Sequence, residues 1–298
     1  MGVASISDFS SATPDKLPPV RGYWASVANR LRYDYVTLFF LAIIVLIVLA
    51  ALLAPLLAPF DPTRSHMAFR LRPPGFRNFI LGTDELGRDM LSRLLWGGRT
   101  SLMMGIVPVL CAMVIGTTLG VIAGFVGGRV NTAIMRTMDV FFAFPSVLLA
   151  VAISGTLGGG TKNGILALTL VFIPSICRVA ESATTQVRGL DFVEAARASG
   201  GSTLSIIWNH VMGNVLGPVF IFSSSLISVS ILLGSGLSFL GLGVEPPTPD
   251  WGLMLSTLRA GIYSQPLLCA LPGVAIFITS LSFNLVSDGL RQAMDVKS

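Results

Sequence analysis

Six long apolar runs dominate this sequence, and each is close to the length that a membrane-spanning helix needs. About 20 apolar residues in an α-helix cross a hydrocarbon core of about 30 Å. Within lipid only helices and closed barrels satisfy every backbone polar group. The sequence therefore predicts an all-α integral membrane protein with six transmembrane helices, at approximately 36–58, 101–126, 134–157, 164–180, 214–236 and 267–287.

Composition supports this class. The chain is 53% hydrophobic and only 12% charged, with a net charge of +5. Arginines that flank membrane spans explain this charge, because no basic cluster with interleaved aromatic residues is present. Nucleic acid is therefore not an expected partner, whereas the lipid membrane is. The first run follows a long polar arm and exceeds the length of a signal-peptide core, which predicts a true span.

A polar loop of about 181–213 separates the fourth and fifth runs, and it contains a short helical pattern. Asp191 is predicted as the N-cap, Glu194 reaches back as in a capping box, and Gly200–Gly201 form a left-handed stop. About two turns of helix fit between these signals. One helix face carries Phe192, Ala195, Ala196 and Ser199, a small and nearly flat surface that favours docking of a partner.

Glu194-Ala195-Ala196, then three residues and Gly200, resembles the EAA loop of permease subunits of bacterial ABC importers. The resemblance implies the type I ABC importer permease fold and a coupling helix that sits in a groove of a cytoplasmic ATPase. Gly213 stands where the family pattern has proline, which predicts a less rigid start for the next helix. The coupling residues that the resemblance implies are Asp191, Phe192, Glu194, Ala195, Ala196, Arg197, Gly200 and Gly201.

Further segments resemble the second permease of the dipeptide, oligopeptide and nickel branch of this family, from about residue 30 to 295. They are Leu81–Leu95, Asp139–Pro145, Leu237–Gly252, Leu271–Gly273 and Asn284–Arg291. The resemblance implies a second permease subunit, two ATPase subunits that hold ATP and Mg, and an extracytoplasmic solute-binding protein. It also implies the bacterial plasma (inner) membrane. Peptides are the favoured solute, with nickel, opines and glutathione left open.

The spans divide the chain into predicted segments. With the N-terminus inside, eleven of the twenty basic residues lie in cytoplasmic segments, a weak indication that the resemblance of the loop reinforces. Both termini are then cytoplasmic. The expected parts are a cytoplasmic arm (1–35), the first span (36–58), an outer loop (59–100), a five-helix core (101–291) and a cytoplasmic tail (292–298).

Two charged features invite interpretation. In the outer loop, the amphipathic run Leu81–Leu95 is predicted to lie on the membrane surface with Arg88, Asp89 and Arg93 in water. Inside the third span, Asp139 is a functional candidate by position. Its neighbour Arg136 is about one turn away, which favours an ion-paired anchor at the membrane interface over a substrate ligand.

No pattern of catalytic chemistry is recognisable. Gly158–Asn163 places Lys162 between Thr161 and Asn163, which is not a phosphate-binding loop, and no nucleophile elbow, kinase set or metal spacing occurs. The chain is expected to be no enzyme, with no catalytic, cofactor or metal residues. Two rivals remain: a secondary transporter, disfavoured because the span centres are nearly free of ionisable residues, and a receptor or membrane anchor.

Overall fold

The computed structural model describes residues 29–294; most of the predicted cytoplasmic arm and the end of the predicted tail lie outside this range. Within it the chain is helical, with two isolated β-bridges and no strand. The main helices are α1 (Tyr35–Leu52), α2 (Met90–Val126), α3 (Gly128–Phe142), α4 (Ser146–Leu157), α5 (Thr161–Arg188), α6 (Asp191–Ala198), α7 (Met212–Phe239), α8 (Trp251–Leu258) and α9 (Pro266–Met294).

Five helical segments of the described part are long and apolar enough to cross a membrane: α1, α2, α5, the stretch Thr203–Phe239 and α9. The third predicted span is not one straight helix. It is the pair α3 and α4, bent by 89° and together apolar enough to make a sixth span. The bend occurs at Pro145. Proline lacks an N–H and disfavours helical backbone in the residue before it, so the helix is interrupted there. The all-α, multi-span fold class is confirmed.

Three glycines of α2 allow close packing on α5. A β-carbon at Gly116 would lie 3.0 Å from the Ile173 carbonyl oxygen, and one at Gly124 would lie 2.7 Å from that of Glu181. Gly120, between them, faces the carbonyl of Cys177. Glycine at every fourth position lets two helix backbones approach, as it does in membrane helix pairs generally. These glycines therefore serve close packing of α2 on α5.

One face of the molecule gathers the ends of four helices, and we call it the α6 face. Arg188 ends α5 and donates from Nη1 to the Gly124 carbonyl near the end of α2, at 3.1 Å. Gly289 of α9 packs directly on Thr37, in the first turn of α1. A β-carbon at Gly217, early in α7, would lie 3.7 Å from Met294 Cε at the end of α9, so the start of α1 and the end of α9 lie on the same face as the loop that carries α6.

The opposite face, which we call the α8 face, is closed by short segments. The Gly160 N–H before α5 donates to the Gly243 carbonyl beyond α7, at 2.8 Å. Asp250 caps α8 by accepting from the Leu253 N–H, and it also accepts from the Ser101 hydroxyl of α2 at 2.7 Å. Burial raises the pKa of Asp250, and the hydrogen bond from Ser101 partly offsets this effect.

The segment before α2 corrects one expectation. Arg88, Asp89 and Arg93 are buried, not in water. Arg88 Nε lies 2.6 Å from Asp84 Oδ2, and Arg93 Nε lies 3.2 Å from the same oxygen. Paired charges can be buried where single ones cannot, so the amphipathic pattern misassigned these side chains. Asp89 caps α2, which continues without a break into the second span.

Candidate functional site

The start of α6 differs from the predicted cap. Leu190, with extended backbone, is the N-cap residue, and no side chain caps this helix end. The N–H groups of Val193 and Glu194 donate to the Leu190 carbonyl at 2.9 and 3.3 Å. The helix therefore begins one residue earlier than predicted, and the capping box of Asp191 and Glu194 is wrong. Both carboxylates instead lie in the first turn, where negative charge suits the helix dipole.

The end of α6 is the predicted left-handed stop. Gly200 has φ +81°, and its N–H donates to the Arg197 carbonyl at 3.0 Å. The Gly201 N–H donates to the Ala196 carbonyl at 3.1 Å. These two hydrogen bonds form a Schellman motif, which satisfies carbonyls that the helix end would otherwise leave open. Glycine is favoured at the left-handed position because any other L-residue is strained there.

The two sides of α6 have different roles. Val193 is fully buried in the main apolar core, and Ala196 packs partly against that core. On the predicted docking face, Phe192 is 43% exposed, and Ala195 and Ser199 are also exposed. The helix is thus anchored by one apolar side chain while most of the predicted face is open. The charged residues Asp191, Glu194 and Arg197 and the two glycines that end the helix are exposed as well.

Contacts tie α6 to the spans. The Arg197 guanidinium lies 5.7 Å from the centroid of the Phe125 ring, at the end of α2. Arg188 holds the same helix end through the Phe125 carbonyl, at 3.2 Å. On the other side, the rings of Phe192 and His210 are 6.4 Å apart. A displacement of α6 would therefore disturb contacts with the end of α2, with the end of α5 and with the turn that leads into α7.

After the left-handed stop, the connection from Thr203 to α7 is helical. Ser202 caps a short helix, Thr203–Ile206, by accepting from the Ser205 N–H at 3.3 Å. A π-helical turn, Ile207–Val211, follows and joins α7. Gly213 lies within α7, so the helix does not break where the family pattern has proline. The departure from that pattern coincides with a wide helical turn just before it, a feature that often marks functional positions.

Asp139 is ion-paired, as the sequence indicates, but its closer partner was not foreseen. Its carboxylate lies 3.6 Å from Arg136 and 2.7 Å from Nη2 of Arg178, on α5. The Arg178 guanidinium also stands 4.6 Å from the centroid of the Phe142 ring. The Asp139 and Arg178 side chains are 43% and 52% exposed in the isolated chain.

Comparison with known proteins places this architecture. Residues 116–297 match the family model described as the binding-protein-dependent transport system inner membrane component. The chain belongs to that permease family. Residues 22–74 also match the N-terminal membrane domain of oligopeptide transport permease C, so the first span has a family counterpart as well.

Similar permeases carry peptide-related names. The chain is 41% identical to the di/tripeptide transport system permease protein DppC of Pseudomonas aeruginosa, over 99% of this chain and 96% of that protein. It is 38% identical to the glutathione transport system permease protein GsiD of Pectobacterium atrosepticum, over 93% and 92%. The dipeptide transport system permease protein DppC of Haemophilus influenzae is 37% identical, over 94% and 95%.

Sequence reasoning missed several residues that position the loop that carries α6. Arg188 was counted only as a basic residue, yet it joins α5 to the end of α2. Its place in the last turn of a helix was a usable signal, because cations favour exposed helix carbonyls. Phe125 gave no signal, since its apolar run predicts only burial, and Val193 gave none because it is a single apolar residue beside Glu194 in a polar loop.

Proposed function

We propose that this permease is one of two membrane subunits of an ABC importer for short peptides. A solute-binding protein would deliver the peptide, and two cytoplasmic ATPases, holding ATP and Mg, would supply the energy. The observation that carries the proposal is α6: a helix exposed on its docking face, anchored through Val193, and joined to the end of α2 by Arg197, where Arg188 also ties α5 to α2. Such a helix can transmit movement of a bound ATPase to the spans.

The α6 face is the cytoplasmic side in this proposal. Both ends of the described chain and the loop from α5 to α7 share that face, so the ATPases and both termini are on one side of the membrane. The α8 face, with the segment between α1 and α2, then meets the binding protein. The proposed segments remain the arm 1–35, the outer loop within 59–100, the coupling loop within 181–213 and the tail 292–298.

Reconstitution tests the proposal. The chain, a second permease, the two ATPases and the binding protein encoded beside them are placed in liposomes, and uptake of radiolabelled dialanine is measured with and without ATP. We expect uptake only when every component and ATP are present. Uptake by this chain without an ATPase would contradict the proposal and favour a secondary transporter.

Glutathione is the second candidate solute, because a relative of nearly equal similarity is named as a glutathione transport permease. The same liposomes can be offered labelled glutathione in competition with dialanine. Uptake of glutathione alone would keep the importer machinery and replace the solute.

Sidedness is tested with single cysteines at two exposed serines, Ser65 and Ser202, in a chain whose Cys111, Cys177 and Cys269 are replaced by alanine. A membrane-impermeant thiol reagent added to intact cells should label the cysteine at Ser65 and spare the one at Ser202. The reverse pattern would invert the proposed orientation.

A further inference from the structure

The bend between α3 and α4 lies at membrane depth and is exposed. Helix α4 has 12 residues, so at a rise of about 1.5 Å per residue it is about 18 Å long, and its far end lies near the α8 face. A helix of this length is too short to cross a hydrocarbon core of about 30 Å, so the bend at Pro145 lies within the core. Residues 142–148 are all exposed, and no side chain caps the start of α4. Irregular backbone at such depth requires a protein neighbour or a water-filled cavity, because lipid cannot satisfy it.

Two exposed polar stripes adjoin this bend. On α5, which is otherwise largely enclosed, Ser175, Arg178, Ser182 and Thr185 fall at helical spacing on one face, with Ser175 half-buried and the others exposed. On α3 the same spacing recurs in exposed or half-exposed residues. These are Arg129, Thr132, Arg136 and Asp139. A stripe of hydroxyls and charges on a spanning helix does not face lipid.

The ion pair of Asp139 and Arg178 joins the two stripes. Arg178 lies about 25 Å along α5 from Thr161, which places it in the half of the membrane nearer the α6 face. Among the described residues its guanidinium donates one hydrogen bond, to Asp139, and stands over the Phe142 ring. A guanidinium has five N–H groups in a fixed fork, so most of its donors remain available to an incoming carboxylate.

We propose that these stripes line the water-filled path between the two permease subunits, and that Arg178 is the group on this chain that meets the carboxylate of a passing peptide. Asp139 holds the guanidinium in place and neutralises its charge, so the path carries no fixed net positive charge. The peptide carboxylate can then bind Arg178 weakly enough to be released. This inference rests on the proposed function, because it needs a second subunit to enclose the path.

Charged thiol reagents test the environment of the stripe. In inside-out membrane vesicles holding the whole assembly, a cysteine at Ser182, one turn from Arg178, should react in the resting state. It should be protected when ATP and vanadate trap the outward-facing state. A cysteine at Leu46, on the exposed surface of α1, serves as the lipid-facing control and should stay unlabelled. A cysteine at Gln292, exposed at the end of α9 and outside the coupling loop, serves as the bulk-water control and should react in both states.

Two variants that break the same ion pair separate electrostatics from structure. Arg178→Gln should lower the ratio of anionic to cationic labelling at position 182 by roughly ten-fold, whereas Asp139→Asn should raise it. A merely structural pair predicts the same shift for both. Lys162→Gln, which removes one charge near the other end of α5, should leave the ratio unchanged. Arg178→Gln should also slow dialanine uptake by at least roughly five-fold, with Arg178→Lys intermediate.

The inference fails if the cysteine at position 182 stays unlabelled like the one at position 46, or if ATP and vanadate do not protect it. It also fails if Arg178→Gln and Asp139→Asn shift the ratio of anionic to cationic labelling in the same direction. Failure of the proposed function is read separately, from co-purification: a chain that binds no ATPase refutes the importer assignment itself. If the wild-type assembly takes up no dialanine, the peptide assignment fails and the labelling ratios still decide the role of the stripe.

Discussion

Replacing Gly200 tests whether the geometry of α6 matters to function. At φ +81° a β-carbon is strained, and no atom lies within 4 Å of the position that it would occupy. The cost of a substitution is therefore conformational alone. It is about 1–2 kcal/mol for alanine and more for the β-branched valine, for which this region is a true outlier. Asparagine, which tolerates left-handed backbone, should cost less.

That strain is confined to the exposed loop, so the spans should insert normally. If ATPase binding requires the native loop, a penalty of about 1.4 kcal/mol weakens association roughly ten-fold. We expect Gly200→Val to reach wild-type levels in the membrane while it loses co-purified ATPase and solute-stimulated ATP hydrolysis. Gly200→Asn should retain ATPase binding and ATP hydrolysis at levels between those of the wild type and of Gly200→Val.

Gly189 offers a matched control on the same loop. Its φ is −90°, and the space around it is also open, so Gly189→Ala carries no comparable strain. This variant should bind the ATPases as the wild type does. If Gly200→Val transported and assembled at wild-type rates, the reasoning that the left-handed exit fixes the docking angle would be refuted.

Three further predictions follow from the same structure. Glu194→Lys should cost only about 0.3–1 kcal/mol locally through the helix dipole, yet abolish ATPase co-purification, with Glu194→Gln as the milder control; normal assembly of the lysine variant would contradict it. A β-carbon at Gly120 would lie only 2.6 Å from that of Ala180, so Gly120→Leu should overpack the contact of α2 with α5 and lower the free energy of unfolding by about 1–3 kcal/mol. Gly236→Leu, at a position with no atom within 4 Å, is the control and should leave thermal stability unchanged. Burial raises the pKa of Asp250 above its usual value of 3.8, so this carboxyl holds its proton to higher pH in the native state than in the unfolded state. The free energy of unfolding should therefore fall as pH rises through the raised pKa. Thermal unfolding in detergent between about pH 4 and pH 8 should show this slope in the wild type and a flatter one in Asp250→Asn; equal slopes would contradict the prediction.

The spans and the end of α6 could be predicted because their determinants are local. Apolar length predicts a membrane helix, and a Gly-Gly pair after a short polar helix predicts a left-handed stop. The start of α6 could not be predicted from Asp191, because extended backbone at Leu190 already lets its carbonyl accept the first helical hydrogen bonds. A favourable capping residue marks the neighbourhood of a helix start, and the backbone conformation decides between adjacent positions.

Charged side chains were the main source of error, because their environment depends on partners. Arg93 was assigned to water by helix periodicity, but the carboxylate of Asp84 makes its burial possible. Asp139 and Arg178 are 39 residues apart in the sequence, so the sequence indicated only the more distant partner, Arg136. The pairing of Asp139 with Arg178 depends on how α3 packs on α5, which a hydropathy pattern does not describe.

Cross-linking from α6 measures the central claim most directly. In native membranes, a single cysteine at Ala195, exposed on the predicted docking face, is treated with a short bifunctional thiol reagent, and the products are identified by mass spectrometry. A cysteine at Ser65, on the opposite side of the membrane in this account, is the control. The account predicts a cross-link from position 195 to an ATPase subunit, altered by ATP and vanadate, and none from position 65. An ATPase cross-link from position 65, or from neither position in an assembly that hydrolyses ATP, would contradict α6 as the coupling element.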